Sequence, residues 1–157
     1  MKIKLLAIGK TSAAYLDEGI AVYLKRLVHY TDFSFEIVPD VKSNSTMEPN
    51  KLKELEAQAF LKRITTKDQV VLLDENGKRF SSEGLAKQMS AWMMSGDKNI
   101  VFIIGGAFGF GEELKKRAAM SLSLSEMTFS HQMVRLIFVE QLYRAFTIIK
   151  GEAYHHK

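Results

Sequence analysis

Short apolar runs alternate along this chain with longer stretches of helical spacing. Lys2 to Ile8 is mostly apolar and closed by Gly9, the pattern of a buried strand. From Ala13 to Tyr30, residues Tyr15, Leu16, Ile20, Val22, Tyr23, Leu24 and Leu27 recur at helical spacing, leaving Lys25 and Arg26 on the solvated side. Phe33 to Val38 alternates as a second strand, stopped by Pro39 and Asp40. The polar run from Asp40 to Glu48 is a loop, and Pro49 suits the first turn of a helix reaching about Arg63. Gln69 to Asp74 is apolar through its middle, as for a strand covered on both faces of a parallel sheet, and Glu75 to Lys78 reads as a turn. Ser81 or Ser82 caps a helix to about Ser95 with Leu85, Met89, Trp92 and Met93 as its core stripe. Gly96 and Asp97 turn the chain into a fourth buried strand, Asn99 to Ile104, and the glycine-rich GGAFGFG follows from Gly105 to Gly111. A helix from Gly111 to Ala119 and a short strand from Ser121 to Ser125 complete the alternation.

The last helix, about Gln132 to Lys150 with Gly151 as its cap, is apolar nearly all round. Its polar residues do not collect on one face, so it is expected to pack on its own sheet and on something else, such as a second copy of the chain. The pattern as a whole predicts one α/β domain over residues 1–157, with a mainly parallel sheet flanked by helices.

Composition narrows the chemistry. The chain has no cysteine, which excludes disulfides, thiolate nucleophiles and cysteine-ligated zinc. Its 46% hydrophobic and 25% charged residues are those of a soluble globular protein. The apolar run at the N-terminus is too short for a signal peptide and no stretch is long enough to span a membrane, so a cytoplasmic protein is expected. A net charge of +4 mildly favours a polyanionic partner.

In parallel sheets ligands sit off the carboxyl ends of the strands, which singles out the loops after Leu73, Ile104 and Leu124. The glycine loop lets the backbone approach a ligand closely. It lacks the G-x-G-x-x-G spacing of dinucleotide binders, and Glu112 stands where a P-loop needs lysine. A plain strand-to-helix turn and a loop holding an adenosine-like ligand both remain open. LSLSEMTFSH could line a slot for a flat base or simply enter a helix capped by Ser130. Glu140 and Arg144 form an acid-first pair four apart, a routine bridge on an exposed helix but a candidate orienting pair on this one. His131 and Arg135 share a face and could contact RNA phosphate or simply make the first turn of the helix soluble. His155 and His156 have no third ligand at metal spacing, so no metal site is expected.

The segments VLLDENGK (71–78), IIGGAFGF (103–110), LSEMTFSHQMVR (124–135), EQLYRAF (140–146) and GEAYHHK (151–157), taken together and in order, resemble the RlmH family of SPOUT-class RNA methyltransferases. Ala107 departs from the proline or serine expected after the double glycine, and the tail carries a second histidine, His156, before Lys157. The resemblance implies N3-methylation of a pseudouridine in 23S ribosomal RNA and a trefoil knot in the C-terminal half. It also implies S-adenosylmethionine held by Leu73, Gly105 and the loop Leu124, Ser125, Glu126, Met127, Thr128 and Phe129. A homodimer follows through the long helix, with the tail of one chain completing the site of the other. On that reaction His155 is expected to accept the N3 proton, Tyr154 to stack on or orient the base, and Arg144, set by Glu140, to stabilise the imide anion. Lys157 is expected to join His131 and Arg135 in binding RNA. Two other readings stay open: a SPOUT-like methyltransferase of another RNA, and a non-catalytic nucleotide-binding module.

Overall fold

The apolar runs become five strands of a single sheet in the computed structural model, which describes residues 1–41, 46–96 and 99–156. In chain order the elements are β1 (Lys2–Ile8), α1 (Ala14–Leu27), β2 (Asp32–Val38), α2 (Pro49–Leu61) and β3 (Asp68–Arg79). They continue with α3 (Ser82–Ser95), β4 (Asn99–Ile104), α4 (Glu112–Arg117), β5 (Met120–Ser123) and α5 (Met133–Lys150). The strand order is β2-β1-β4-β3-β5 and every ladder is parallel. Residues 42–45 of the Asp40–Glu48 loop and Asp97 of the expected Gly96–Asp97 turn lie outside the described residues; Gly96 itself caps α3 in the left-handed region, at φ 65°.

Alternation along the strands divides the core between two faces. Leu5, Val71 and Phe102 pack with Ile20 of α1, Met89 and Trp92 of α3, and Phe138, Leu142 and Phe146 of α5. Leu6, Leu72 and Ile103 point the other way, onto Ala57 and Phe60 of α2 and Leu114 of α4. Buried on both sides, the strands could only read as unbroken apolar runs.

Glu75 to Lys78 is not a turn. β3 continues to Arg79, and its register against β5 shifts between Leu73 and Lys78, so that Leu122 opposes both. A Cβ on Gly77 would lie 2.5 Å from the carbonyl carbon of Ser121. Glycine there marks the close approach of a neighbouring strand rather than a reversal of the chain.

Much of the all-round apolarity of α5 is answered within one chain. Phe138, Val139, Leu142, Ala145 and Phe146 are buried against the sheet, α1 and α3. What remains is a groove between α1 and α5 lined by Gly19, Val22, Tyr23, Leu136, Ile137, Glu140 and Gln141.

Arg135 is fully buried, which corrects its assignment to RNA phosphate. It donates from Nη2 to the Ile8 carbonyl at 2.7 Å and from Nη1 to the Gly9 carbonyl at 2.7 Å and Thr11 Oγ1 at 3.1 Å. A fourth bond, from Nε, reaches the His131 carbonyl at 3.2 Å. Burial lowers its pKa, and the charges of Asp40 and Asp17 oppose that shift. Its guanidinium thus satisfies the carbonyls at the end of β1, where the sheet offers no further partner. Replacing it with methionine keeps much of the stem but orphans these acceptors. Arg135→Met is expected to lower stability by about 2–5 kcal/mol in urea denaturation; an unchanged midpoint with weakened RNA binding would restore the phosphate role.

Candidate active site

The loops after β3, β4 and β5 meet at the carboxyl end of the sheet around a cleft of about 400 Å³. Leu73, Gly105, Leu124, Ser125, Met127, Thr128 and Phe129, each expected at a cofactor site, all line it. Gly106 and Phe110 of the glycine loop line it too, as do Asp74, Glu75 and Val134, which were not assigned to a site in the sequence. Glu126 does not: its carboxylate turns outward to pair with Arg79. His131 lies on the cleft wall, half-buried.

Local hydrogen bonds explain the shape of this cleft. Ser123 Oγ donates to the Ser125 carbonyl at 2.9 Å, and the Met127 N–H donates to Ser125 Oγ at 2.9 Å. Thr128 donates to the Glu75 carboxylate, joining the third loop to the first. Ser130 Oγ accepts from the Met133 N–H at 3.0 Å, so it caps the turn into α5 although the helix itself begins three residues later, at Met133. In the glycine loop, the Gly109 N–H donates to the Gly106 carbonyl at 3.2 Å, and Gly109 holds φ +87°, which favours glycine. A Cβ on Gly105 would meet the Phe110 ring at 3.0 Å and the Gly109 carbonyl at 3.1 Å. A side chain at Gly105 would therefore have to push the Phe110 ring and the Gly109 carbonyl aside by a few tenths of an ångström.

A second cluster lies further along α5. Arg144 donates to Glu140 Oε1 from Nη2 at 2.6 Å and from Nε at 3.2 Å, and this bond is the main reason its pKa is raised. Tyr154 donates to the same oxygen at 3.0 Å, stacks edge-on to Tyr143 and lies under the Arg144 guanidinium, 4.7 Å from its ring centroid. Burial and hydrogen bonds to Tyr23 and Glu140 raise the Tyr154 pKa, so its hydroxyl stays protonated. His155 Nδ1 is 3.2 Å from Arg144 Nη1, and Nε2 is 3.5 Å from Glu83 Oε1. Tyr30 donates to Glu152 at 2.6 Å, which pushes the Tyr30 pKa up to about 12. The tail is thus tied to α1, α3 and α5 rather than hanging free. Tyr23, Tyr30 and Glu83 hold it, and their roles were hidden because Tyr23 falls within the apolar spacing of α1. The signal of the two tyrosines was a hydroxyl on a half-buried ring, which needs a partner; Glu83 carried no such signal.

The two clusters do not meet within one chain. None of Glu140, Arg144, Tyr154 or His155 lines the cleft. From Val134 on the cleft wall to Glu140 and Arg144 the helix rises by about 9 and 15 Å. Lys157 lies outside the described residues. Among the described residues no group of three or more His, Asp or Glu could hold a metal, and no helix is long and apolar enough to cross a membrane.

Beneath the glycine loop sits Glu56 of α2, buried, with Oε1 the one buried side-chain oxygen or nitrogen among the described residues that has no hydrogen-bond partner. A Cβ on Gly106 would come within 2.5 Å of Glu56 Oε2. Burial, and then the charge of Asp40, raise the Glu56 pKa. A carboxyl whose pKa is raised on folding holds its proton in the native state after the unfolded chain has lost it. Stability should therefore fall as pH rises from the ordinary carboxylate range through the raised value. Denaturation midpoints taken across that range should show this decline, and Glu56→Gln, which cannot ionise, should flatten it. A wild-type profile already flat there would show that Glu56 is ionised and compensated.

Comparison with known proteins agrees with this geometry. The family model described as "Predicted SPOUT methyltransferase" matches residues 1–155. A protein of Christiangramia forsetii named ribosomal RNA large subunit methyltransferase H is 52% identical over the whole of both chains. Proteins of the same name from Flavobacterium johnsoniae and Parabacteroides distasonis are 50% and 46% identical, again over the full length of each. With its parallel sheet, its glycine loop at the strand ends and this full-length likeness, the chain belongs to the SPOUT methyltransferase family.

Proposed function

We propose that the protein transfers a methyl group from S-adenosylmethionine to N3 of a pseudouridine in 23S ribosomal RNA, as a cytoplasmic homodimer. The observation that carries this reading is the separation of two half-sites on one chain. One is a cleft of main chain and apolar groups with Asp74, Glu75, Thr128 and His131 at its wall. The other is a cluster of Tyr154, His155, Arg144 and Glu140 that does not reach it. Relatives alike over their whole length carry the name ribosomal RNA large subunit methyltransferase H.

The cleft suits S-adenosylmethionine. Its volume falls in the range of small-molecule pockets, Leu73, Leu124 and Phe129 supply apolar walls, and Gly105, Gly106 and Gly109 leave the main chain bare for polar edges. The bound cofactor would supply a sulfonium methyl already activated for attack. The chain's own task is then to align N3 and to remove its proton. Arg144, held by Glu140, faces charge developing on the imide oxygens, and Tyr154 orients the ring beside it. His131 on the cleft wall and Lys157 are proposed to meet RNA phosphate.

A second copy brings the tail cluster to the cleft. The groove between α1 and α5 offers the apolar face for that pairing, next to Glu140. Phe138 and Leu142 belong to the core of the single chain, so Val22 and Ile137 are the positions that address the dimer. The trefoil knot belongs to this reading as well. β5 lies at the sheet edge beside β3, yet Arg135 near the start of α5 reaches the end of β1, so the intervening chain crosses the strand ends.

The test couples binding to transfer. The wild-type protein should bind S-adenosylmethionine in calorimetry in preference to ATP or NAD and should methylate 23S RNA in large subunits or ribosomes lacking the modification. Gly106→Ala, whose Cβ would push on Glu56, should weaken that binding by about tenfold or more. No preference among the three ligands, or no transfer to any ribosomal substrate, would refute the reading.

A further inference from the structure

The contacts of His155 define which of its nitrogens can take a proton. Arginine has donors and no acceptor, so the 3.2 Å contact from Arg144 Nη1 makes His155 Nδ1 the acceptor. In a neutral imidazole the proton then sits on Nε2, which faces Glu83 Oε1 at 3.5 Å. Glu83 belongs to the first turn of α3, behind the Ser81 cap. α3 is further held to α5 by a 2.7 Å bond from Ser82 Oγ to Gln141 Oε1. Among the described residues, the charged and titratable groups that contact or back the ring are Arg144 from α5, with Glu140 behind it, Glu83 from α3, and Tyr154 from the tail.

We infer that Glu83 is a positioning residue for the proton transfer: it faces His155 Nε2–H, keeps the lone pair on Nδ1, and stabilises the imidazolium formed when Nδ1 takes the substrate's proton. The inference rests on the reaction proposed above. In the step, N3 gives its proton to Nδ1 as Arg144 moves from Nδ1 to the imide oxygen. The electron pair of the broken N–H bond would stay on N3 and form the new bond to the methyl carbon, while the methyl–sulfur bond would break with its electron pair returning to sulfur. The positive charge of the sulfonium thus ends on His155, between Glu83 and the solvent-facing side of the tail. A carboxylate behind a histidine is how acid–base imidazoles are commonly oriented. Arg144 alone cannot do this, because it leaves Nδ1 at the moment the proton arrives.

The test has a kinetic arm and a spectroscopic one. Glu83→Gln should lower single-turnover kcat on ribosomes by about tenfold or more. KM for ribosomes and the affinity for S-adenosylmethionine should not change, and Glu83→Asp should recover part of the rate. In a His155→Ala background the same Glu83→Gln change should have no further effect. In the ligand-free protein, nitrogen NMR of the imidazole, assigned by loss of the signal in His155→Ala, should show Nδ1 unprotonated and Nε2 protonated. An unchanged kcat, an equal loss in both backgrounds, or a proton on Nδ1 would overturn the inference. A wild-type protein with no methyl transfer at all would instead overturn the proposed reaction, and the NMR result would still decide the tautomer.

Discussion

Arg135 anchors the long helix. A charged side chain without solvent exposure is tolerable only where its donors are matched, and here four bonds reach the ends of β1 and the turn before α5. That anchorage sets both the rotation and the height of α5 over the sheet. Val134 is thereby placed on the cleft wall, and Glu140 and Arg144 are carried about 9 and 15 Å further along. The last helix has one guanidinium turned inward to hold the fold and another turned toward the tail.

The chemistry is distributed accordingly. The cleft is built mostly from strand ends, backbone and small or apolar side chains, with Asp74, Glu75 and His131 on its wall. The tail cluster is the reverse: one carboxylate oxygen of Glu140 accepts from both Arg144 and Tyr154, and Arg144 in turn donates to His155. Such a chain of charge-assisted bonds, half-buried between three helices, holds the tail from Glu152 to His156, which has no core of its own. Tyr30 on Glu152 and Tyr23 on Tyr154 fasten it at two further points.

Much of this was legible before the structure. The buried strands read as apolar runs, and the three loops at their ends converge on one cleft as the rule for parallel sheets requires. The failures have physical causes. Glu75 to Lys78 has the composition of a turn, but the approach of Ser121 to Gly77, which only the tertiary structure brings about, keeps it in the sheet. Arg135 looked available because an arginine on a helix is usually solvated, and nothing local shows that two strand-end carbonyls lie opposite it. Glu126 sits among cleft residues in sequence, but the loop turns it toward Arg79. The ties on the tail joined residues over a hundred positions apart, as between Tyr23 and Tyr154, and no periodicity reports such a pair.

The central claim is that a working site takes its cleft from one chain and its tail from another. The direct measurement pairs two defective chains, one with the cleft blocked by Gly105→Val and one lacking the proposed base through His155→Ala. Each homodimer should be inactive. A purified mixed dimer has one doubly defective site and one intact site, so it should methylate ribosomes at about half the wild-type rate per dimer. A mixed dimer as inactive as its parents would contradict the account, because it would place the cleft and the tail of each site on the same chain.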